Sequence, residues 1–173
     1  MTRTPKVALV MGSTSDLPQV EPALEILEEL KVPYTTRILS AHRTPDAVRE
    51  FTRRAPEEGI RVIVACAGAA AHLAGVIASH TDLPVIGVPM AGGTLGGMDS
   101  LLSTVQMPGG VPVATMGIGK GGVKNAVLMA ARILALQDRN LAEALAARRE
   151  AQARAVLEKD EEIRRKHTWT GED

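Results

Sequence analysis

The sequence predicts an α/β fold. The expected form is a three-layer αβα arrangement around a doubly wound parallel sheet of five strands, with a C-terminal helical extension. Three observations carry this. Short apolar runs alternate with stretches of helical spacing over most of the chain, the pattern of repeated βαβ units. The first of these runs, Val7–Met11, is apolar throughout, as in a strand covered on both faces. Each run ends in a turn, and parallel strands bring those turns to one edge of the sheet.

The elements follow in order. Val7–Met11 is the first strand and ends in Gly12-Ser13-Thr14-Ser15-Asp16. Pro18 suits a first helical turn, and Val20, Ala23, Leu24, Leu27 and Leu30 follow at helical spacing. Tyr34–Leu39 reads as the second strand. Its turn is Ser40-Ala41-His42-Arg43-Thr44-Pro45, and the next helix, from Asp46, carries Ala47, Val48 and Phe51 and closes at Gly59. Ile60–Ala67 is the third strand, Gly68-Ala69-Ala70-Ala71-His72 the third turn, and a short helix runs through Ser79. Pro84–Val88 is the fourth strand, opening into the glycine-rich loop Pro89–Gly97 and a short helix, Leu101–Gln106. Val111–Met116 reads as the fifth strand, Gly117–Gly122 as a turn and Val123–Leu136 as a helix. Right-handed crossovers leave few topologies. The flavodoxin-like order is the expectation, with ligands at the carboxyl ends of the strands near the reversal in strand order.

Asp138–Lys166 is different: charged, rich in Ala, strongly helical, and sparse in apolar positions such as Leu141, Leu145, Val156 and Leu157. No strand follows it. We therefore divide the chain into an α/β domain, 1–137, and a helix and tail, 138–173, expected either to lie on the domain surface or to pack on neighbouring subunits. The tail from His167 is expected to fray.

Composition narrows the function. The 173 residues carry 20 Lys plus Arg against 20 Asp plus Glu, so the basic footprint of a nucleic-acid binder is missing. Aromatic residues are 2% of the chain, only Tyr34, Phe51 and Trp169, too few for a base-stacking platform. The single cysteine, Cys66, lies in an apolar run and is read as a buried, inert thiol, which excludes a disulfide framework and a cysteine-cluster zinc site. No apolar stretch reaches the ~18 residues of a membrane span. Met1–Lys6 leads into the first strand with no signal-peptide core, so a cytoplasmic location is expected.

Three turns on one edge collect the polar chemistry: Ser13, Ser15 and Asp16; Ser40, His42 and Arg43; and Gly68 with His72. Helix N-termini, hydroxyls and one guanidinium make an anion site, and phosphate is the obvious guest. Asp16 would repel phosphate and is better suited to accept hydrogen bonds from sugar hydroxyls, so the set reads as a site for a phosphorylated sugar or nucleotide. Plainer readings stand beside this one. Ser13, Ser15, Asp16, Ser40 and Thr44 are also ordinary helix caps. Arg43 alone is more often a solvated charge, and His72 could be a satisfied, half-buried histidine. His42 is hardest to dismiss, because capping does not require an imidazole.

Gly117-Ile118-Gly119-Lys120-Gly121-Gly122 matches G-x-G-x-x-G between a strand and a helix. No strand follows to carry the acidic residue that a dinucleotide fold needs, so a nicotinamide or flavin role ranks low. No cluster has metal-ligand spacing, and no nucleophile elbow is present. One histidine, hydroxyls, backbone donors and an arginine suit proton transfer on a bound phosphorylated substrate.

The stretches Gly12–Asp16, Ser40–Pro45, Gly68–Leu73 and Asp99–Pro108 resemble, in order, the motifs of the class I form of N5-carboxyaminoimidazole ribonucleotide mutase, the catalytic subunit of the older-named phosphoribosylaminoimidazole carboxylase. The likeness runs from Val7 to about Leu136. Departures are small: Ala74 stands where the family usually has Pro, Gly121 where it usually has Ala, and Met90–Thr94 is unusually glycine-rich. The resemblance implies a purine-biosynthetic isomerase that moves a carboxyl group from the exocyclic nitrogen of the aminoimidazole ribonucleotide to ring C4. Decarboxylation, retention of CO2 and recarboxylation are the implied steps, without cofactor or metal. It implies His42 as proton carrier. It places the ribose phosphate on Ser13, Asp16 and Arg43 with Ser15 and Ser40 assisting, and the base and carboxyl pocket on Gly68, His72 and Leu73. An octamer of identical subunits is implied as well. The alternatives are class II carboxylation of the same nucleotide with free CO2, and a non-catalytic nucleotide-binding module.

Overall fold

Val7–Met11 (β1) is buried along its whole length and is paired on both sides. Tyr34–Ile38 (β2) flanks it with Tyr34 opposite Val7, and Val62–Gly68 (β3) flanks it with Val62 opposite Val7. Val85–Met90 (β4) joins β3 with Val85 opposite Ile63, and Ala114–Thr115 (β5) ends the sheet with Ala114 opposite Ile86. All pairs are parallel, in the order β2-β1-β3-β4-β5, which is the doubly wound order expected. The computed structural model describes residues 4–171, so the reading of the first residues and of the end of the tail falls partly outside it.

Side-chain alternation along β1 sorts the core into two layers. Val7, Leu9 and Met11 pack with Val20, Ala23 and Leu27 of Leu17–Glu29 (α1). The same layer takes in Val123, Ala126, Val127 and Ala130 of the long helix Gly119–Ala135 (α5). Ala8 and Val10 face the other way. They pack with Val48 and Phe51 of Pro45–Arg54 (α2) and with Leu73, Ala74 and Ile77 of Leu73–Ala78 (α3). Met98–Val105 (α4) covers β4 on that second face: a Cβ built on Gly87 would come within 2.5 Å of Thr104 and 3.1 Å of Ala74. Phe51 is the only buried aromatic side chain among the described residues. Alanines such as Ala126 and Ala130 let helices sit close to the sheet instead. Each large aliphatic side chain so buried contributes roughly 1.5–3 kcal/mol.

The structure corrects three element boundaries. The fifth strand shrinks from Val111–Met116 to two residues, because Pro112 has no N–H to give the ladder. Helix α4 starts three residues earlier than expected, at Met98. The segment 119–122, expected as turn, is the first turn of α5. There a Cβ on Gly122 would lie 1.6 Å from the Gly117 carbonyl oxygen, so the glycine lets the chain fold back on itself. At Gly97 φ is +93° and a Cβ would press Ile118 at 2.8 Å. Both glycines thus have reasons within the chain.

Arg139–His167 (α6) is a helix of 29 residues, capped by Asp138, whose Oδ1 accepts from the Leu141 N–H at 3.1 Å. Its first turns are anchored. Leu141 is buried, Leu145 packs on the first core layer, and Arg148 pairs with Glu29 of α1. Beyond Arg148 the helix leaves the domain, and Val156, Leu157 and Ile163 are exposed. Trp169 lies past its end, 84% exposed.

Candidate active site

The strand order decides where the site is. The chain leaves β1 for β2 on one side and later returns to β3 on the other. The turns after β2 and β3 therefore meet above the end of β1, at Gly12. A Cβ on Gly12 would touch nothing within 4 Å, so the space there is left open. A cavity of about 550 Å³ opens at this point. Its walls come from the turns after β1, β2 and β3 and from the start of the loop after β4.

The first wall is Ser13, Ser15 and Asp16. Ser13 Oγ accepts from Ser15 N–H at 3.2 Å and from Ser15 Oγ–H at 2.9 Å, capping the single 3-10 turn Thr14–Asp16. The capping and cavity readings of Ser13 are both right. Asp16 is half-buried, and that burial raises its carboxyl above the usual carboxylate range. Cys66, beneath it in β3, is fully buried. Burial chiefly, and the Asp16 charge secondarily, push its thiol up to about 12, which keeps it protonated and inert.

Ser40, His42 and Arg43 form the second wall. The Ser40 amide donates to Thr44 Oγ1 at 2.9 Å, and Ser40 Oγ accepts from the Arg43 amide at 3.2 Å, so the turn closes on itself. Arg43 is not a free surface charge. Its Nη2 donates to the Gly12 carbonyl at 2.6 Å, which holds the guanidinium across the end of β1.

The third wall is Ala67–Ala70 with Leu73. Gly68 and Leu73 line the cavity as expected, Leu73 as a buried apolar surface. His72 is placed differently. It does not line the cavity, and it is not half-buried. It is exposed, and its Nδ1 sits 2.9 Å from His42 Nε2 with the two rings edge to face. The two histidines, 30 residues apart in sequence, form one unit.

Gln19, which sequence reading missed, lines the cavity from the first turn of α1, and Met90, Ala91, Gly92 and Gly93 at the start of the glycine-rich loop line it from the β4 end. Ala69 has φ +52°, a left-handed conformation that costs a non-glycine residue about 1–2 kcal/mol. Such strain collects at functional sites. Buried Ser100 ties the loop after β4 at both ends: its Oγ lies 2.9 Å from the Met90 carbonyl and 2.8 Å from that of Gly97. Asp99 accepts the Ser100 N–H at 2.9 Å in the first turn of α4. No group of three His, Cys, Asp or Glu side chains that could hold a metal gathers among the described residues.

A family model described as AIR carboxylase matches residues 6–155. The chain belongs to the AIR carboxylase family. All three walls lie inside the matched segment, and so do α6 and its anchoring turns as far as Ala155. Relatives in this family include the N5-carboxyaminoimidazole ribonucleotide mutase of Bacillus subtilis, 55% identical over 159 residues, which span 92% of this chain and 98% of that one. The mutase of Thermotoga maritima is 52% identical, over 92% of each chain. Among solved structures, Treponema denticola PurE superposes with a TM-score of 0.82 at 28% identity, covering 92% of this chain and 98% of that one. No helix among the described residues is long and apolar enough to cross a membrane.

Proposed function

We propose that this protein acts in purine biosynthesis as an N5-carboxyaminoimidazole ribonucleotide mutase, moving a carboxyl group from the exocyclic nitrogen to ring C4. One observation carries the reading to the chemistry: His42, a group able to take and return a proton, faces a cavity flanked by one guanidinium, hydroxyls and a single carboxylate. The high identity to mutases over nearly the whole chain supports the same reaction.

The balance of the reaction sets what the residues must do. The N–CO2 bond breaks, its electron pair stays on nitrogen, and nitrogen takes a proton. The freed aminoimidazole is an enamine; C4 attacks the retained CO2 and then loses its proton as the ring regains aromaticity. One proton is given and one taken, so a single imidazole can serve both steps. Holding CO2 beside C4 is a proximity effect. Arg43 and Ser13 bind the phosphate, with Ser15 and Ser40 assisting. Asp16 accepts from ribose hydroxyls, which relieves the cost of its burial. Gly68 and Leu73 leave room for the base and exclude water from it. Neither a metal nor an organic cofactor is assigned a step.

We also read the protein as a homo-oligomer, an octamer by the family resemblance, and as cytoplasmic. Exposed Leu95, Met98, Leu102 and Val105 around α4, and Val156, Leu157 and Ile163 on α6, are surfaces that neighbouring copies would cover. The distal part of α6, exposed beyond its anchored first turns, supports that assembly. Stopping the chain after Arg149 keeps the anchored turns of α6 and should lower the assembly state in sedimentation. An unchanged assembly would make the distal helix a dispensable appendage.

The direct test is to incubate the protein with N5-carboxyaminoimidazole ribonucleotide and follow formation of the C4 carboxylate. A parallel assay with aminoimidazole ribonucleotide and CO2 separates mutase from direct carboxylase. Binding with no carboxyl transfer in either assay would leave a nucleotide-binding module.

A further inference from the structure

The contact between His42 and His72 asks for an explanation of its own. His72 stands at the N-cap of α3, yet its side chain makes no capping hydrogen bond and its own backbone is already helical. Local structure gives no reason for an imidazole. The ring is exposed, so it is not a core residue. It does not line the cavity, so it is not placed to touch a bound nucleotide there. Its one polar contact among the described residues is Nδ1 to His42 Nε2, at 2.9 Å. The ring centroids are 5.0 Å apart at an interplanar angle of 82°, so one ring presents its edge to the other.

We propose that His72 is a positioning residue: it holds the Nε2 edge of His42, so that Nδ1 is the His42 atom that exchanges a proton with the substrate. The inference rests on the reading of His42 as proton carrier. In a neutral histidine one ring nitrogen donates and the other accepts. For His42 to take a proton on Nδ1, that nitrogen must present its lone pair, so Nε2 carries the hydrogen and donates it to His72 Nδ1. His72 then keeps its own proton on Nε2. When His42 is charged, both of its nitrogens are donors, and the same Nε2–H bond to His72 persists and strengthens. One arrangement of the pair thus serves both the giving and the taking of the proton, with no ring flip between them. The other charged groups around the cavity, Asp16 and Arg43, come from the turns after β1 and β2. Arg43 is turned to the Gly12 carbonyl, and neither group holds the Nε2 edge.

The choice of a neutral partner has chemical sense. A carboxylate in the place of His72 would hold the charged form of His42 and hinder the step in which the proton leaves. An imidazole orients the ring and binds the proton less one-sidedly, which suits a residue that must give and take in one turnover.

Three variants test this with the full-length protein and the carbamate nucleotide. His72→Phe keeps a ring and removes the acceptor. Its kcat should fall about 10–100-fold, the weight of one hydrogen bond to a charged group. KM should stay within about twofold, since the residue does not line the cavity. His72→Asn can place Oδ1 where Nδ1 was and should recover most of kcat; His72→Gln, whose amide reaches too far, should not. A spectroscopic reading on the parent protein needs no variant to fold. With ring nitrogens labelled with 15N, the ligand-free protein should show His42 and His72 both protonated on Nε2. Full kcat in His72→Phe, a loss confined to KM, no rescue by Asn over Phe, or His42 protonated on Nδ1 would each overturn the proposal. His42→Asn separates the two levels. If it stays active, the reading of His42 fails and takes this inference with it. If it is inactive while His72→Phe is fully active, only the inference fails.

Discussion

The two edges of the sheet each carry a hollow, and the larger one is at the wrong end. At the amino edge a depression of about 1140 Å³ is lined by Lys6, Lys31, Arg61, Leu83, Leu134 and others, against about 550 Å³ at the carboxyl edge. What differs is the use to which polar groups are put. At the amino edge several of them are spent on structure: on nearby backbone, on a helix cap, or on an ion pair between two helices. Arg61 donates to the Ile60 carbonyl beside it, Asp138 caps the helix it precedes, and Glu29 pairs with Arg148. At the carboxyl edge they reach between elements that are distant in sequence, as in His42 to His72 and Arg43 to Gly12, and leave donors and acceptors facing open space. Volume alone would choose the wrong hollow; convergence of side chains from separate turns chooses the right one.

The largest effect that could break this contrast is at His42. His42→Asn should lower kcat by about 10²–10⁴-fold with nucleotide affinity kept. Near-normal turnover would remove the carboxyl edge from the chemistry. Next comes Arg43→Ala, which gives up a charge-assisted bond of about 1.5–3 kcal/mol and should weaken substrate binding about 10–100-fold. An analogue lacking the phosphate should lose much less; equal losses for the two would place the phosphate elsewhere.

Asp16 sharpens the contrast through stability. Because burial raises its carboxyl in the folded state, its favourable contribution is present below the ordinary carboxylate value and is lost as pH rises through the raised one. At neutral pH the charged, half-buried group therefore costs stability. Asp16→Asn should raise the melting temperature at pH 7, lose that advantage in acid, and weaken substrate binding. A melting temperature that falls at neutral pH would show that the carboxylate is structurally supported after all.

The smallest effects compare two strained residues, one at each edge. Lys31 and Ala69 both have positive φ, at 55° and 52°. Lys31 follows the end of α1, where glycine is the usual choice. Lys31→Gly should stabilise by roughly 0.5–1 kcal/mol, the relief of left-handed strain less the added freedom of the unfolded chain, and leave kcat unchanged. Ala69→Gly should stabilise by a similar amount and reduce activity, because it loosens a wall of the cavity. Equal activity in both variants would mean that the strain at Ala69 has no functional part.

Most of this was legible in the residues. β1, β3 and β4 read correctly because both their faces are covered, and a strand with no solvent face has an unbroken apolar signature; β2, at the sheet edge, is only partly buried and carries Thr35, Thr36 and Arg37. Ser13, Ser15, Asp16, Ser40, His42, Arg43, Gly68 and Leu73 fall around one cavity because parallel topology brings successive turns to one edge. Most of the misreadings depend on contacts across space; the fifth strand fails on a local feature. Val111 looks like a strand residue until Pro112 interrupts the ladder and leaves only Ala114–Thr115 paired. Gly119–Gly122 reads as a turn by composition, and only the Gly117 carbonyl against Gly122 explains glycine inside a helix. His72 could be half-buried or functional until the turn after β2 is brought over β1 to meet it. Gln19 and Ser100 carried no local signal beyond a polar residue near a helix start.

The position of Trp169 has a practical consequence for anyone following this molecule by light. It is the chain's sole tryptophan, and it stands exposed in the tail, outside both core layers. Its emission will report the tail: nearly insensitive to melting of the sheet, and shifted to the blue when another surface covers the end of α6. Thermal unfolding of the α/β core is therefore to be followed by backbone circular dichroism. The same sample's fluorescence serves as an independent monitor of association, and dilution should move the fluorescence signal without moving the dichroism if the tail is covered only in the assembled state.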